Sequence, residues 1–212
     1  MKHKLIFSII TLIFSCQIIC AQKVHVILNI DNISRDIKKS CMKDGENMRK
    51  LLKEAGTLAN MEVKFYPTKL NFSDIKHTIK SINPASNDVI FFYYSGHGYR
   101  YNSQDDPFPF LGLKRTGTLG LNQIHETLLK KGARLTISIA DACNNYLSGI
   151  APFDNPLSTE LQNATAYERL LKYSKGDFIF SSSSKGEFSM CNNSGGYFTV
   201  SFIKAFSEEI DG

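Results

Sequence analysis

The sequence predicts an α/β fold in which a mostly parallel sheet is flanked by helices. Short apolar runs with strand character alternate along the chain with segments whose apolar residues recur at helical spacing. One run, Asp88–Tyr94 (DVIFFYY), is apolar on both faces, as suits a parallel strand covered by helices on either side. The chain has 212 residues, 42% of them hydrophobic, which suits one domain with a substantial core.

The elements follow in order. Lys23–Ile30 (KVHVILNI) alternates Val24, Val26, Leu28 and Ile30 and predicts a first strand. Asp44–Ala55 carries Met48, Leu51, Leu52 and Ala55 at helical spacing, and Gly56 follows as a stop. Met61–Tyr66 is a second strand, closed by Pro67. Ser73 is placed to cap a helix through Asp74–Ser81, with Ile75, Ile79 and Ile82 on one face. Asp88–Tyr94 is the third strand. Residues 99–118 show no period. A helix over Leu121–Lys131 stops at Gly132, and Arg134–Ala140 (RLTISIA) is the fourth strand. Residues 144–164 are polar and irregular. A short helix at Tyr167–Tyr173, a fifth strand at Asp177–Ser181 and a helix over Tyr197–Ile210 complete the chain.

Residues 1–21 are set apart. Lys2, His3 and Lys4 precede an apolar stretch from Leu5 to Ile19, and Ala21 is a small residue suited to a cleavage site. This pattern predicts a Sec signal peptide cut between Ala21 and Gln22, with residues 22–212 as the exported domain, periplasmic or extracellular. The stretch is shorter than the roughly 20 apolar residues of a membrane span. A lipoprotein cut before Cys16 or Cys20 is the alternative, and neither cysteine follows a small-residue pair. Removing the leader takes away Lys2 and Lys4 and lowers the formal charge from +5 to +3. No Lys/Arg cluster forms a nucleic-acid footprint or a polybasic membrane patch. Three cysteines remain, Cys41, Cys143 and Cys191, too sparse and odd in number for a disulfide framework.

In open parallel sheets the ligand site lies at the carboxyl ends of the strands. His97 follows the third strand in YYSGHG, and Cys143 follows the fourth in DACNN. Both therefore belong on the same rim. A thiolate is a strong nucleophile, and an imidazole can take its proton and return it to a leaving amine. The glycines beside His97 let a substrate approach the backbone, so the N–H groups of Gly98 and Cys143 are candidate oxyanion donors.

SGHG after one apolar strand and D-A-C after the next resemble the caspase-hemoglobinase group of cysteine peptidases. Caspases carry Q-A-C-[RQG]-G with the histidine about 50 residues upstream. Here 46 positions separate His97 from Cys143, and Asp141 stands in place of the glutamine. D-x-C resembles the metacaspases and bacterial caspase-like peptidases (peptidase C14, clan CD). So does SCMKDGENM at residues 40–48, which is similar to the Cys-x-x-Asp element opening their first helix. The resemblance spans about residues 24–206. It implies a three-layer sandwich, His97 as general base, Cys143 as nucleophile, and an S1 pocket lined by Cys41, Asp44, Ser95 and Asp141. Two carboxylates beside the nucleophile favour a cationic side chain, so cleavage is expected after Arg or Lys. His25, His77 and His125 carry no partner pattern and are expected to be structural or on the surface.

Residues 181–190 (SSSSKGEFSM) resemble the family's Ser-rich strand end, and Gly196-Tyr197-Phe198-Thr199 its following helix start; Met190 stands where an acid is common. Many metacaspases need calcium, for which Asp105, Asp106 and Asp154 are candidates by type, although their spacing does not reproduce the family set. No other cofactor is implied. Arg169, Lys172 and Lys175, just before the fifth strand, are candidate self-cleavage positions. The alternatives are a caspase-fold binding or regulatory protein with weak or no hydrolysis, and a thiol transpeptidase using the same dyad.

Overall fold

Val24 and Val26 alternate with Ile27 and its neighbours in burial, and Phe91 and Tyr93 alternate with Ile90, Phe92 and Tyr94, so each strand feeds two separate cores. A computed structural model of the chain describes residues 21–114, 117–146 and 167–207. Five parallel strands form the sheet: β1 (Lys23–Ile30), β2 (Glu62–Tyr66), β3 (Val89–Ser95), β6 (Leu135–Asp141) and β7 (Gly176–Ser181). Their order is β2-β1-β3-β6-β7, every neighbouring pair parallel. Between them run α1 (Lys38–Leu58), α2 (Phe72–Ser81) and α3 (Leu121–Leu129), and the described part closes with α4 (Tyr197–Ser207).

The two cores make three layers. Met48, Leu51, Leu52 and Ala55 of α1 pack with Phe198, Phe202 and Phe206 of α4 against Val24, Val26, Phe91, Tyr93, Ile137 and Ile139. Ile75 and Ile79 of α2 and Leu121, Ile124 and Leu128 of α3 cover Ile27, Ile90, Phe92 and Tyr94 on the other face. This is the three-layer α/β arrangement expected from the sequence. Two of the histidines set aside as structural tie elements together. The His25 Nε2 is 3.0 Å from Asp88 Oδ2 and its Nδ1 is 2.8 Å from the Tyr66 hydroxyl. The His125 ring bridges Ser138 and Asp177, while His77 is exposed.

The structure corrects several boundaries. α1 starts at Lys38 rather than Asp44, because Ser40, Cys41, Asp44, Gly45 and Met48 already continue its buried face. α2 starts at Phe72, capped not by Ser73 but by Asn71, whose side chain accepts the Asp74 N–H at 2.8 Å. The stretch at 99–118 holds an antiparallel pair, β4 (Gly98–Tyr99) with β5 (Phe110–Leu111). The helix at Tyr167–Tyr173 becomes a π-helical turn over Arg169–Tyr173. A second short hairpin, β8 (Cys191–Asn192) with β9 (Gly195–Gly196), leads into α4. Among the described residues no helix is long and apolar enough to cross a membrane.

Phe92 is fully buried on β3, the middle strand of the sheet. Phe92→Ala is expected to destabilise the chain by about 3–5 kcal/mol through lost burial and a residual cavity, measured as a lower urea midpoint at an unchanged m-value.

Candidate active site

The register of β3 on β6 pairs Ser95 with Asp141 at the carboxyl ends of both strands. Two residues further on, each strand delivers the residue singled out in the sequence, His97 from one and Cys143 from the other. The two loops then run side by side. The Gly96 N–H donates to the Asp141 carbonyl at 3.2 Å and the Arg100 N–H to the Asn145 carbonyl at 3.0 Å. Between these bonds Gly98 lies against the Cys143 backbone so closely that any Cβ would collide with the Cys143 carbonyl oxygen. Only glycine permits this approach.

The loop carrying Cys143 is strapped from both sides. Asn144, fully buried, donates to the Pro107 carbonyl at 2.7 Å and accepts from Arg100 Nη1 at 3.1 Å. The buried Arg100 guanidinium also donates to the carbonyls of Gln104 and Asp106. From the other side, the Ala142 N–H donates to the Ser182 hydroxyl, and the Ser183 hydroxyl donates to the Ala142 carbonyl at 2.7 Å. The serine-rich stretch after β7 therefore holds the Cys143 turn in place, since its hydroxyls occupy backbone groups that lie beyond the sheet ladder.

The thiol and the imidazole have separate partners. Cys143 Sγ accepts the Ser189 N–H at 3.4 Å and lies 3.7 Å from the Ser189 carbonyl. Burial pushes the Cys143 thiol above its ordinary value, against the opposing Ser189 N–H; Asp141 and Cys191 add to the rise. His97 is about half exposed, and its Nε2 lies 3.1 Å from Asp36 Oδ2. Among the described residues no hydrogen bond joins the imidazole to the thiol.

The four residues expected to line S1 do come together. Cys41 and Asp44 lie one turn apart on the buried face of α1. The Ser95 hydroxyl donates to Asp44 Oδ2 at 2.7 Å, and the Gly196 N–H donates to Asp44 Oδ1 at 2.8 Å. Asp141 accepts from the Ser189 hydroxyl at 2.6 Å, the Thr199 N–H at 3.1 Å and the Thr199 hydroxyl at 2.6 Å. The relative exposures of Asp44 and Asp141 are only 1% and 6%, and among the described residues neither is paired with a cation. The β8–β9 hairpin lies on both carboxylates. A Cβ at Gly195 would strike Asp44 and one at Gly196 would strike Asp141. Burial, reinforced by the nearby Asp141 charge, raises the Asp44 carboxyl to about 7 despite the bonds from Ser95 and Gly196. The Cys41 thiol is pushed up to about 12, chiefly by burial, with Asp44 and Asp31 adding to it against the Ser95 hydroxyl.

Some contributors carry little mark in the sequence. Thr199 and Gly196 stand in the Gly-Tyr-Phe-Thr stretch and Ser189 in the serine-rich one, but their bonds to Asp141 and Asp44 depend on the fold. Asp36 sits in a loop without periodicity. Arg169 and Lys172 lie in the π-helical turn, whose Leu171 is buried, while Lys175 is exposed between that turn and β7. Asp106 uses its carboxylate on the Phe108 N–H at 2.8 Å, and Asp154 lies outside the described residues. Among the described residues no group of three or more His, Cys, Asp or Glu is arranged to hold a metal ion.

An acid whose carboxyl is raised in the folded state holds its proton there while the unfolded chain has lost it. The Asp44 proton therefore stabilises the fold at low pH, and that stabilisation is lost as pH rises from about 4 to about 7. Asp44→Asn, which keeps an acceptor for the Gly196 N–H, is expected to lose less stability than the parent across this window. Urea unfolding at pH 4.5 and 8 measures the difference, and parallel curves for the two proteins would contradict it.

A family profile described as the caspase domain, Peptidase C14, matches residues 22–211. No curated protein matches the chain. With that match across its parallel sheet and rim, the chain belongs to the caspase-domain family of cysteine peptidases, peptidase C14.

Proposed function

We propose that the chain is a cysteine endopeptidase that hydrolyses peptide bonds after Arg or Lys through His97 and Cys143. The observation that carries the specificity is the pair Asp44 and Asp141, buried side by side with no cation between them. Buried charges ordinarily find a partner. A guanidinium or ammonium entering as the P1 side chain supplies one, and an aspartate would meet repulsion. Entry requires the glycine hairpin at 195–196 to shift, because it covers both carboxylates. Cys41 and Ser95 complete the pocket wall.

In this reading His97 takes the Cys143 proton and the thiolate attacks the scissile carbonyl carbon. The negative oxygen that forms is met by the N–H groups of Gly98 and Cys143, a contribution of about 3–4 kcal/mol for a donor of this kind. The imidazolium gives its proton to the leaving amine as the C–N bond breaks. Water, deprotonated by His97, then attacks the thioester, and the proton returns to sulfur as the acid leaves. Because burial raises the Cys143 thiol, the base carries more of the activation than in an enzyme with a preformed thiolate. Residues 1–21 direct export and leave residues 22–212 in the periplasm or outside the cell. Among the basic residues before β7, Arg169 and Lys175 are exposed and Lys172 is half-buried, and we propose self-cleavage after one of these three.

The purified chain is expected to cleave fluorogenic peptides ending in Arg or Lys and to leave those ending in Asp intact, with calcium present or absent. Cys143→Ala abolishes turnover, and His97→Ala lowers it by roughly 100-fold or more. Asp141→Asn weakens basic substrates much more than neutral ones. Equal loss on all substrates would make Asp141 a support for the turn only, and full activity in Cys143→Ala would overturn the assignment of the nucleophile.

A further inference from the structure

The backbone of His97 is fixed from two sides. Its carbonyl accepts the Tyr94 hydroxyl at 2.6 Å and the Gly112 N–H at 2.7 Å. Neither bond sets the ring. The ring's hydrogen-bond partner is Asp36, through Nε2 at 3.1 Å from Oδ2 and 3.4 Å from Oδ1. We propose that Asp36 is the positioning residue of the site, accepting the Nε2–H of His97 so that Nδ1 is left as the unprotonated base. This rests on the His97–Cys143 reading above and adds a third member to it.

Three observations support the assignment. First, the loop that carries Asp36 is built rather than loose. At its start Asp31, nearly fully buried, accepts the N–H groups of Ile33 and Ser34 and the Ser34 hydroxyl at 2.6 Å, and its own N–H donates to the Ser95 carbonyl at 2.8 Å. The loop is thereby anchored to the strand end that leads to His97. Second, Asp31 also lies near the imidazole. Burial works against its ionisation, but the Ser34 and Ile33 bonds and the His97 charge outweigh it and keep the Asp31 carboxyl low. Its oxygens are already engaged by the loop, so Asp36 is the carboxylate available to the ring. Third, the raised Cys143 thiol needs a base in one defined tautomer. In a neutral imidazole the nitrogen that donates decides which one accepts. A surface ion pair of this exposure contributes little to stability, so its value lies in the orientation of the ring.

The test uses Asp36→Ala, Asp36→Asn and Asp36→Glu in the purified chain, with kinetics on an Arg-ended peptide. In parallel, the His97 ring nitrogens are recorded by nitrogen-15 NMR at pH 8 in a Cys143→Ala background. Asp36→Ala is expected to lower kcat roughly 10- to 100-fold, a part of what a general base provides, and Asp36→Glu to recover most of it. KM should stay within about twofold, as for a group that acts only on the chemical step. The nitrogen shifts should move from a dominant Nε2–H form towards a mixture in Asp36→Ala. Parental kcat together with an unchanged tautomer in Asp36→Ala would overturn the proposal. If the parent hydrolyses none of the peptides, the peptidase reading fails, and the tautomer readout still decides whether Asp36 orients His97.

Discussion

Two carboxylates, Asp44 from α1 and Asp141 from β6, are buried against one another at the rim of a parallel sheet, and much of the surrounding structure is devoted to holding them. Like charges in a poorly solvated place are unfavourable unless they are neutralised, hydrogen-bonded or given a cation. The chain uses the first two. Asp44 is raised towards neutrality and still accepts from Ser95 and Gly196, while Asp141 accepts from Ser189 and Thr199. Each of these donors comes from a different part of the chain. The pair therefore ties α1, β3, the segment after β7, the glycine hairpin and the start of α4 into one site.

The same rim explains how His97 and Cys143 are placed close together without a hydrogen bond between them. The Ser95–Asp141 register sets the two strand ends level, and the Gly98 backbone against Cys143 keeps the loops together. Asn144 and the serines at 182 and 183 hold the Cys143 turn. The thiol meanwhile rests on Ser189 and the imidazole on Asp36. Ser189 also bonds Asp141, so the residue that touches the thiol is linked to the buried acidic pair.

The sheet was legible because its strands are short apolar runs separated by helical periods, and DVIFFYY, buried on both sides, marks the interior strand. His97 and Cys143 were legible because each follows such a strand, and the rim rule then places them together. The helix starts were less so. Cys41 and Asp44 read as a local motif, but only burial against the sheet shows that α1 begins before them, at Lys38. Ser73 is the cap the sequence suggests for α2, but the fold places Asn71 at the cap position, where its side chain accepts the Asp74 N–H. Asp36, Ser189 and the glycine hairpin act through contacts between segments distant in sequence. No local pattern encodes those contacts, since they arise only when the rim is assembled.

We propose that the buried acidic pair, Asp44 and Asp141, receives the cationic side chain of a substrate. This is tested most directly by following the Asp44 carboxyl carbon by carbon-13 NMR across a pH titration, in the Cys143→Ala protein alone and with an Arg-ended peptide. The free protein should titrate near 7 at Asp44, and the bound guanidinium should draw that midpoint down, because a nearby cation favours the ionised form. A midpoint that stays unchanged when the peptide is bound would contradict the account.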